Sequence, residues 1–153
     1  MNYSESNDAI FKMLWPVVSG DISSLLGYTP LVYWPDKVEK ATAPTDKVWM
    51  RVSRKTLGGP SLAGFTDDTA QSARRYDVAA LLYVQVFYPQ SDANASDKFP
   101  AIVQMITDAL GDKHDPTNIL WTRSSSVDEL DSERSWFRKN VVTQFEYQEI
   151  KRF

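Results

Sequence analysis

Val78-Ala79-Ala80-Leu81-Leu82-Tyr83-Val84-Gln85-Val86-Phe87-Tyr88, closed by Pro89, is the stretch that decides the fold. In an extended chain Val78, Ala80, Leu82, Val84 and Val86 fall on one face and Ala79, Leu81, Tyr83 and Phe87 on the other, with Gln85 the main polar interruption. A strand apolar on both faces belongs in the middle of a sheet covered on both sides. Proline lacks the N–H that a ladder needs, so the strand stops at Pro89.

Upstream, Val48 to Ser53 reads as a second strand, with Val48, Met50 and Val52 on one face and Trp49, Arg51 and Ser53 on the other. Leu31 to Trp34 is a short strand that Pro35 stops. Before it, Ile10, Leu14, Val17 and Val18 recur at helical spacing, widened by Phe11 and Trp15. Ser6 or Asn7 is expected to cap that helix, and Pro16 to kink or end it. Asp21 then caps a short turn from Ile22 to Leu26, which Gly27 closes in the left-handed conformation. Downstream, a helix is expected from about Asp97 to Leu110. Phe99, Ile102, Val103, Ile106 and Leu110 line one face, Ser96 or Asp97 caps the start, Pro100 sits in the first turn and Gly111 lies past the end. Strands Ile119–Ser125 and Phe137–Ile150 follow, joined by a charged stretch, Val127–Arg134, that reads as a solvated turn. The order α-β-β-β-α-β-β predicts one α/β domain of the α+β type over residues 1–153. Its mixed or antiparallel sheet of about five strands carries two main helices.

Composition narrows the function. With 42% hydrophobic and 24% charged residues a packed core is expected rather than disorder. The absence of cysteine excludes disulfides, Cys-ligated metals and thiol catalysis. A net charge of −3 gives no global basic field for nucleic acid. Met1 to Asp8 is polar, and the apolar stretch from Ile10 to Val18 is too short to span a bilayer, so no membrane partner is expected.

No catalytic constellation emerges. His114, the single histidine, sits between Asp112 and Asp115 with Lys113 intervening, and reads as a solvated loop residue rather than a metal ligand. Gly58 to Gly64 lacks the Lys-Ser/Thr of a phosphate loop, and Gly59-Pro60-Ser61-Leu62-Ala63 lacks the closing glycine of a nucleophile elbow. Asp67-Asp68, Arg54-Lys55 and Arg74-Arg75 read as solvated charges. Neither an enzymatic activity nor a cofactor or metal is expected, and a small hydrolase or ligand-binding domain is the remote alternative.

Arg54 to Ala73 separates two strands without clear periodicity, yet carries Leu57, Leu62 and Phe65. Long loops with large apolar groups are commonly functional, so this one is expected to be an arm that orders against a partner, for instance by adding to a neighbour's sheet edge.

Trp49-Met50-Arg51-Val52-Ser53, the Gly-rich segment, Arg74-Arg75, Val84-Gln85-Val86-Phe87-Tyr88-Pro89, the Phe99–Leu110 helix and Trp136-Phe137-Arg138-Lys139-Asn140-Val141-Val142 follow one another in an order that resembles the tail terminator proteins of long-tailed bacteriophages. The likeness runs from about Ile10 to the C-terminus and departs in the first helical region with its Pro16. It implies a homo-oligomeric ring of six subunits in the virion, assembled in the host bacterial cytoplasm. Such a ring caps the tail tube protein, ends tube polymerisation and meets a head–tail connector or neck protein. Another connector, neck or minor tail protein is the related alternative. A ring needs two different contact surfaces per subunit. Candidates are Leu57, Leu62, Phe65, Trp49 and Arg51, with Arg74 and Arg75, on one side, and Trp136, Phe137 and Arg138 on the other. Copies at −3 each make an acidic ring, which fits a bore through which DNA passes without specific binding.

Overall fold

A helix that runs straight through a proline opens the chain. The computed structural model describes residues 1–37, 42–65 and 73–152, and at 60–65, 73 and 152 the backbone only. Helix α1 spans Tyr3–Val17 and begins earlier than the periodicity predicts. Its cap is Asn2 rather than Ser6 or Asn7: the Asn2 side chain accepts from the Glu5 N–H and the Glu5 carboxylate accepts from the Asn2 N–H, a capping box. Pro16 does not end the helix. It lies on the solvent side, and the chain continues as a wide π turn, Val18–Ile22, into the short helix α2, Ser23–Leu26. Ile10, Leu14, Val18 and Ile22 are spaced by four and all buried. In a regular α-helix each four-residue step drifts the stripe by about 40°, and the wider turn takes back part of that drift and returns Ile22 to the core side. Asp21 therefore lies inside a continuous helix and caps nothing, while Gly27 does close it, at φ 81. Tyr3–Leu26 is long and apolar enough to cross a membrane by length and composition, unlike the shorter stretch read from sequence; here its apolar stripe is buried in the core.

The sheet has five strands in the order β1-β2-β3-β5-β4: β1 Leu31–Tyr33, β2 Trp49–Phe65, β3 Ala73–Pro89, β4 Leu120–Glu133 and β5 Trp136–Arg152. β1 runs parallel to β2, and every other pair is antiparallel. The expected α+β class, sheet type and element order are all present, and β3 is the central strand. Helix α3, Ala95–Leu110, packs with α1 over one face of the sheet. Phe99, Ile102, Val103, Ile106 and Leu110 are buried there against Val84, Val86, Val141 and Phe145, each apolar side chain contributing about 1.5–3 kcal/mol by leaving water. α3 starts at Ala95 after Asn94, so Pro100 stands in its second turn. Gly111 is not left-handed (φ is −74). It is glycine because a Cβ would lie 3.3 Å from the Ser125 backbone nitrogen and 3.1 Å from the Thr107 carbonyl oxygen.

Three expectations about strands change. β2 and β3 continue as a long hairpin, so the region read as a loop is ladder out to Phe65 and from Ala73, with register shifts at Leu57/Ser61 and Leu62/Gly64. Asp67-Asp68 lie outside the described residues. The charged stretch Val127–Arg134 is not a turn but mostly the second half of β4, paired to β5, and the chain reverses at Arg134, whose φ is 54. Finally, β3 has helices on one face only. On the other, Leu81, Tyr83 and Gln85 are half-buried and no second layer covers them among the described residues.

Candidate functional site: the uncovered sheet face and its edges

Residues that point away from the helices form a continuous surface. At the end of the sheet where β3 finishes and β5 begins, four aromatic rings meet on it. Trp49 and Phe87, opposite one another on β2 and β3, stack with ring centroids 3.9 Å apart and planes 1° from parallel. Tyr33 of β1 meets Trp49 edge-on at 5.5 Å, and Trp136 of β5 meets Trp49 and Phe87 edge-on at 6.2 and 6.5 Å. The Arg51 guanidinium lies 5.7 Å from the Trp49 ring and 5.6 Å from Phe87, in cation–π range. Trp49 and Phe87 are buried by these neighbours, and the Trp49 Nε1–H has no acceptor among the described residues.

The structure thus unites Trp49, Arg51 and Trp136, which sequence reasoning had assigned to two separate surfaces, and adds Tyr33 and Phe87. Phe87 was legible as an apolar residue of the second face of β3. Tyr33 was not singled out, because a three-residue strand carries no periodicity. Arg138 lies on the same face, with Nη1 3.0 Å from Glu133 and Nε donating to the Asp131 carbonyl. Phe137 does not join it. It points to the helix side, beside Phe99 and Pro100 at the start of α3. Leu57 is half-buried on β2, and Arg74 and Arg75 are exposed on the arm half of β3. Leu62 and Phe65 are placed on β2 by their pairing with Tyr76 and Arg74, while their side chains lie outside the described residues.

Arg54 is not a solvated charge. Its Nη1 donates to Ser6 Oγ and Asn7 Oδ1, both at 2.7 Å, and the guanidinium packs 4.1 Å from the Tyr3 ring centroid and 4.9 Å from that of Phe145. It fastens the first turns of α1 to the sheet. Lys55, its neighbour, is exposed.

The His114 region is a built turn. His114 Nδ1 donates to the Asp115 carbonyl, and His114 bridges to Trp121 at the outer side of β4. Asp115 is buried. Burial pushes its carboxyl up, but hydrogen bonds from Thr117 Oγ1 and the Ile119 and Leu120 N–H groups outweigh this and hold it below its ordinary value. A depressed folded value stabilises the native state above the unfolded carboxyl pKa of about 3.9, and that contribution is lost as pH falls through the folded value. Asp115→Asn is therefore expected to cost about 1–3 kcal/mol at pH 7. The gap to the parent chain should narrow in acid, as urea denaturation on either side of the carboxyl range will show. A groove of about 670 Å³ runs between this turn and α1, lined by Asp8, Lys12 and His114 among others. Among the described residues no group of three or more His, Cys, Asp or Glu lies close enough to hold a metal.

No protein-family model matches the chain, and no curated protein matches it. Solved structures do match, and one of them aligns over 96% of this chain and 96% of its own length at 15% identity, with a TM-score of 0.62. That likeness is one of fold along the whole chain, from α1 to β5.

Proposed function

We propose that this chain is a structural virion protein rather than a catalyst: a ring-forming tail terminator of a long-tailed bacteriophage. In this reading copies of the chain cap the tail tube, end its polymerisation and join the tail to a head connector or neck protein. The ring resides in the virion after assembly in the host cytoplasm. The observation that carries the reading is the uncovered sheet face. A central strand apolar on both sides, with helices on one side only, leaves Leu81, Tyr83 and the Trp49–Phe87–Trp136 cluster at a surface, and surfaces of that kind mark contacts between proteins. Arg51 and Arg138 beside those rings add the residue types that dominate binding energy at such contacts. The resemblance in sequence supplies the identity of the assembly, and the net charge of −3 per copy fits a bore that DNA traverses without adhering.

Light scattering and negative-stain imaging of the purified protein test the assembly. Closed rings of uniform size are expected, and a monomer at every concentration defeats the proposal. Omission from a tail-assembly reaction tests the role: tails of uncontrolled length are expected, whereas tails of normal length that fail to join heads indicate a neck protein instead.

A further inference from the structure

The sheet ends on both sides in strands with long open edges. β1 covers β2 only from Trp49 to Arg51, so from Val52 to Phe65 its outer backbone has no strand partner among the described residues. At the other side, the turn around Asp112–Asp115 covers the start of β4, through bonds such as Thr122 N–H to the Lys113 carbonyl and Asp112 N–H to the Arg123 carbonyl. From Ser126 to Glu133 the outer edge of β4 has no strand partner among the described residues. An open edge is a template for another strand, and proteins commonly protect it.

The two edges carry opposite charge. The open part of β2 carries exposed Lys55 and no acid, with exposed Arg51 just before it; Arg54 is taken up by its bonds to α1. The open part of β4 contains Asp128, Glu129, Asp131 and Glu133 and no base. Glu129 and Glu133 are engaged by Lys139 and Arg138 of β5, whereas Asp128 and Asp131 have no ion pair among the described residues and are exposed. Asp128 pairs across β5 with Asn140, and Asn140 in turn pairs with Gln85 of the uncovered face, so Asp128 points to the same side of the sheet as Lys55 and Arg51. Direction agrees as well: β2 is antiparallel to β3, β3 to β5 and β5 to β4, so β2 and β4 run in opposite senses. A neighbour of the same orientation therefore meets this edge as an antiparallel strand, the pairing that forms the rest of the sheet.

We infer that the acidic edge of β4 in one copy pairs with the basic edge of β2 in the next, continuing one sheet from subunit to subunit. The inference rests on the proposed self-assembly and names the surface that performs it. The contact is heterologous, so it closes into a ring or grows as a filament, and it brings the β2–β3 arm of one copy alongside β4 of its neighbour. Because the attraction is between surface charges, association weakens as salt is raised.

Two exposed-residue variants test it in the full chain. One reverses the acid edge (Asp128→Lys, Glu129→Lys, Asp131→Lys). The other makes the β2 edge acidic (Ser53→Glu, Lys55→Glu) and leaves the structural Arg54 untouched. Each alone is expected to self-associate at least about tenfold more weakly than the parent chain, since like charges now face each other. Mixed in equal amounts they are expected to assemble again, because each reversed edge then meets a complementary one. Circular dichroism confirms that both variants fold. Parent-like assembly of either variant alone overturns the pairing and leaves the ring proposal standing. Assembly of the acid-edge variant with the parent chain as tight as with its counterpart overturns it too, since that pattern requires β4, which both partners carry unchanged, to meet β4. A parent chain that stays monomeric removes the pairing and the ring together.

Discussion

Arg54→Ala is expected to lower the unfolding free energy by about 3 kcal/mol, the sum expected for losing charge-assisted hydrogen bonds and ring contacts at one half-buried guanidinium. In the native chain that group donates to Ser6 Oγ and Asn7 Oδ1 at once and lies against the rings of Tyr3 and Phe145. Removing it leaves buried Ser6 without this donor and opens a gap between α1 and β2 where the helix begins. For a domain of this size the loss corresponds to a fall in Tm on the order of 10 °C. Arg54→Lys retains the charge but loses the fork that reaches two acceptors, so it is expected to recover only part of the stability. Urea denaturation of the three proteins measures the series. Equal stability of Arg54→Ala and the parent chain would refute the role given to this residue.

Arg54 also shows where the sequence was legible and where it was not. Burial selects pattern, so elements with one face in the core announced themselves. Phe99, Ile102, Val103, Ile106 and Leu110 mark α3 by spacing, and the alternation through β3 marks the central strand. Where neither face is buried, no pattern is selected. Val127 to Glu133 is solvent-facing for most of its length and reads as a charged turn, although its backbone is a strand held by the ladder to β5. The arm portion of β2 is disguised by Gly58, at φ 60, and by the register shifts beside it, which break the period of two. Pro16 misleads for a different reason. Local chemistry argues for a stop, but the stripe Ile10, Leu14, Val18 and Ile22 buries enough apolar surface to carry the helix past it. Arg54 and Lys55 look alike in sequence, and only the approach of α1, which folds back over alternate residues of β2, separates an anchor from a surface charge. The candidate contact residues were legible as types, aromatic and arginine. Their convergence was not, since Trp49, Phe87 and Trp136 meet only through the strand order β2-β3-β5.

Trp49 gives the second large effect, and its two substitutions separate stability from assembly. Trp49→Ala removes the ring that stacks on Phe87 and receives the edges of Tyr33 and Trp136, a loss of about 3–5 kcal/mol for a buried tryptophan. Trp49→Phe keeps a ring in the stack while removing the indole N–H, which is buried without an acceptor among the described residues. Relief of that unpaired donor, worth about 1–3 kcal/mol, offsets the smaller ring, so the monomer's stability is expected to change by less than about 1 kcal/mol. Assembly responds differently if the uncovered face is a contact between proteins, because the smaller ring withdraws support from Tyr33 and Trp136, the half-buried rings packed edge-on against Trp49 at the surface. Association of Trp49→Phe is expected to weaken about tenfold as those two aromatic contact residues lose their fixed positions. Sedimentation measurements over a concentration series provide that number and denaturation of the dissociated protein provides the other. A Trp49→Phe chain that assembles as tightly as the parent while the monomer loses several kcal/mol would make this cluster a piece of the subunit's own core. The contact would then have to be sought along the charged edges alone.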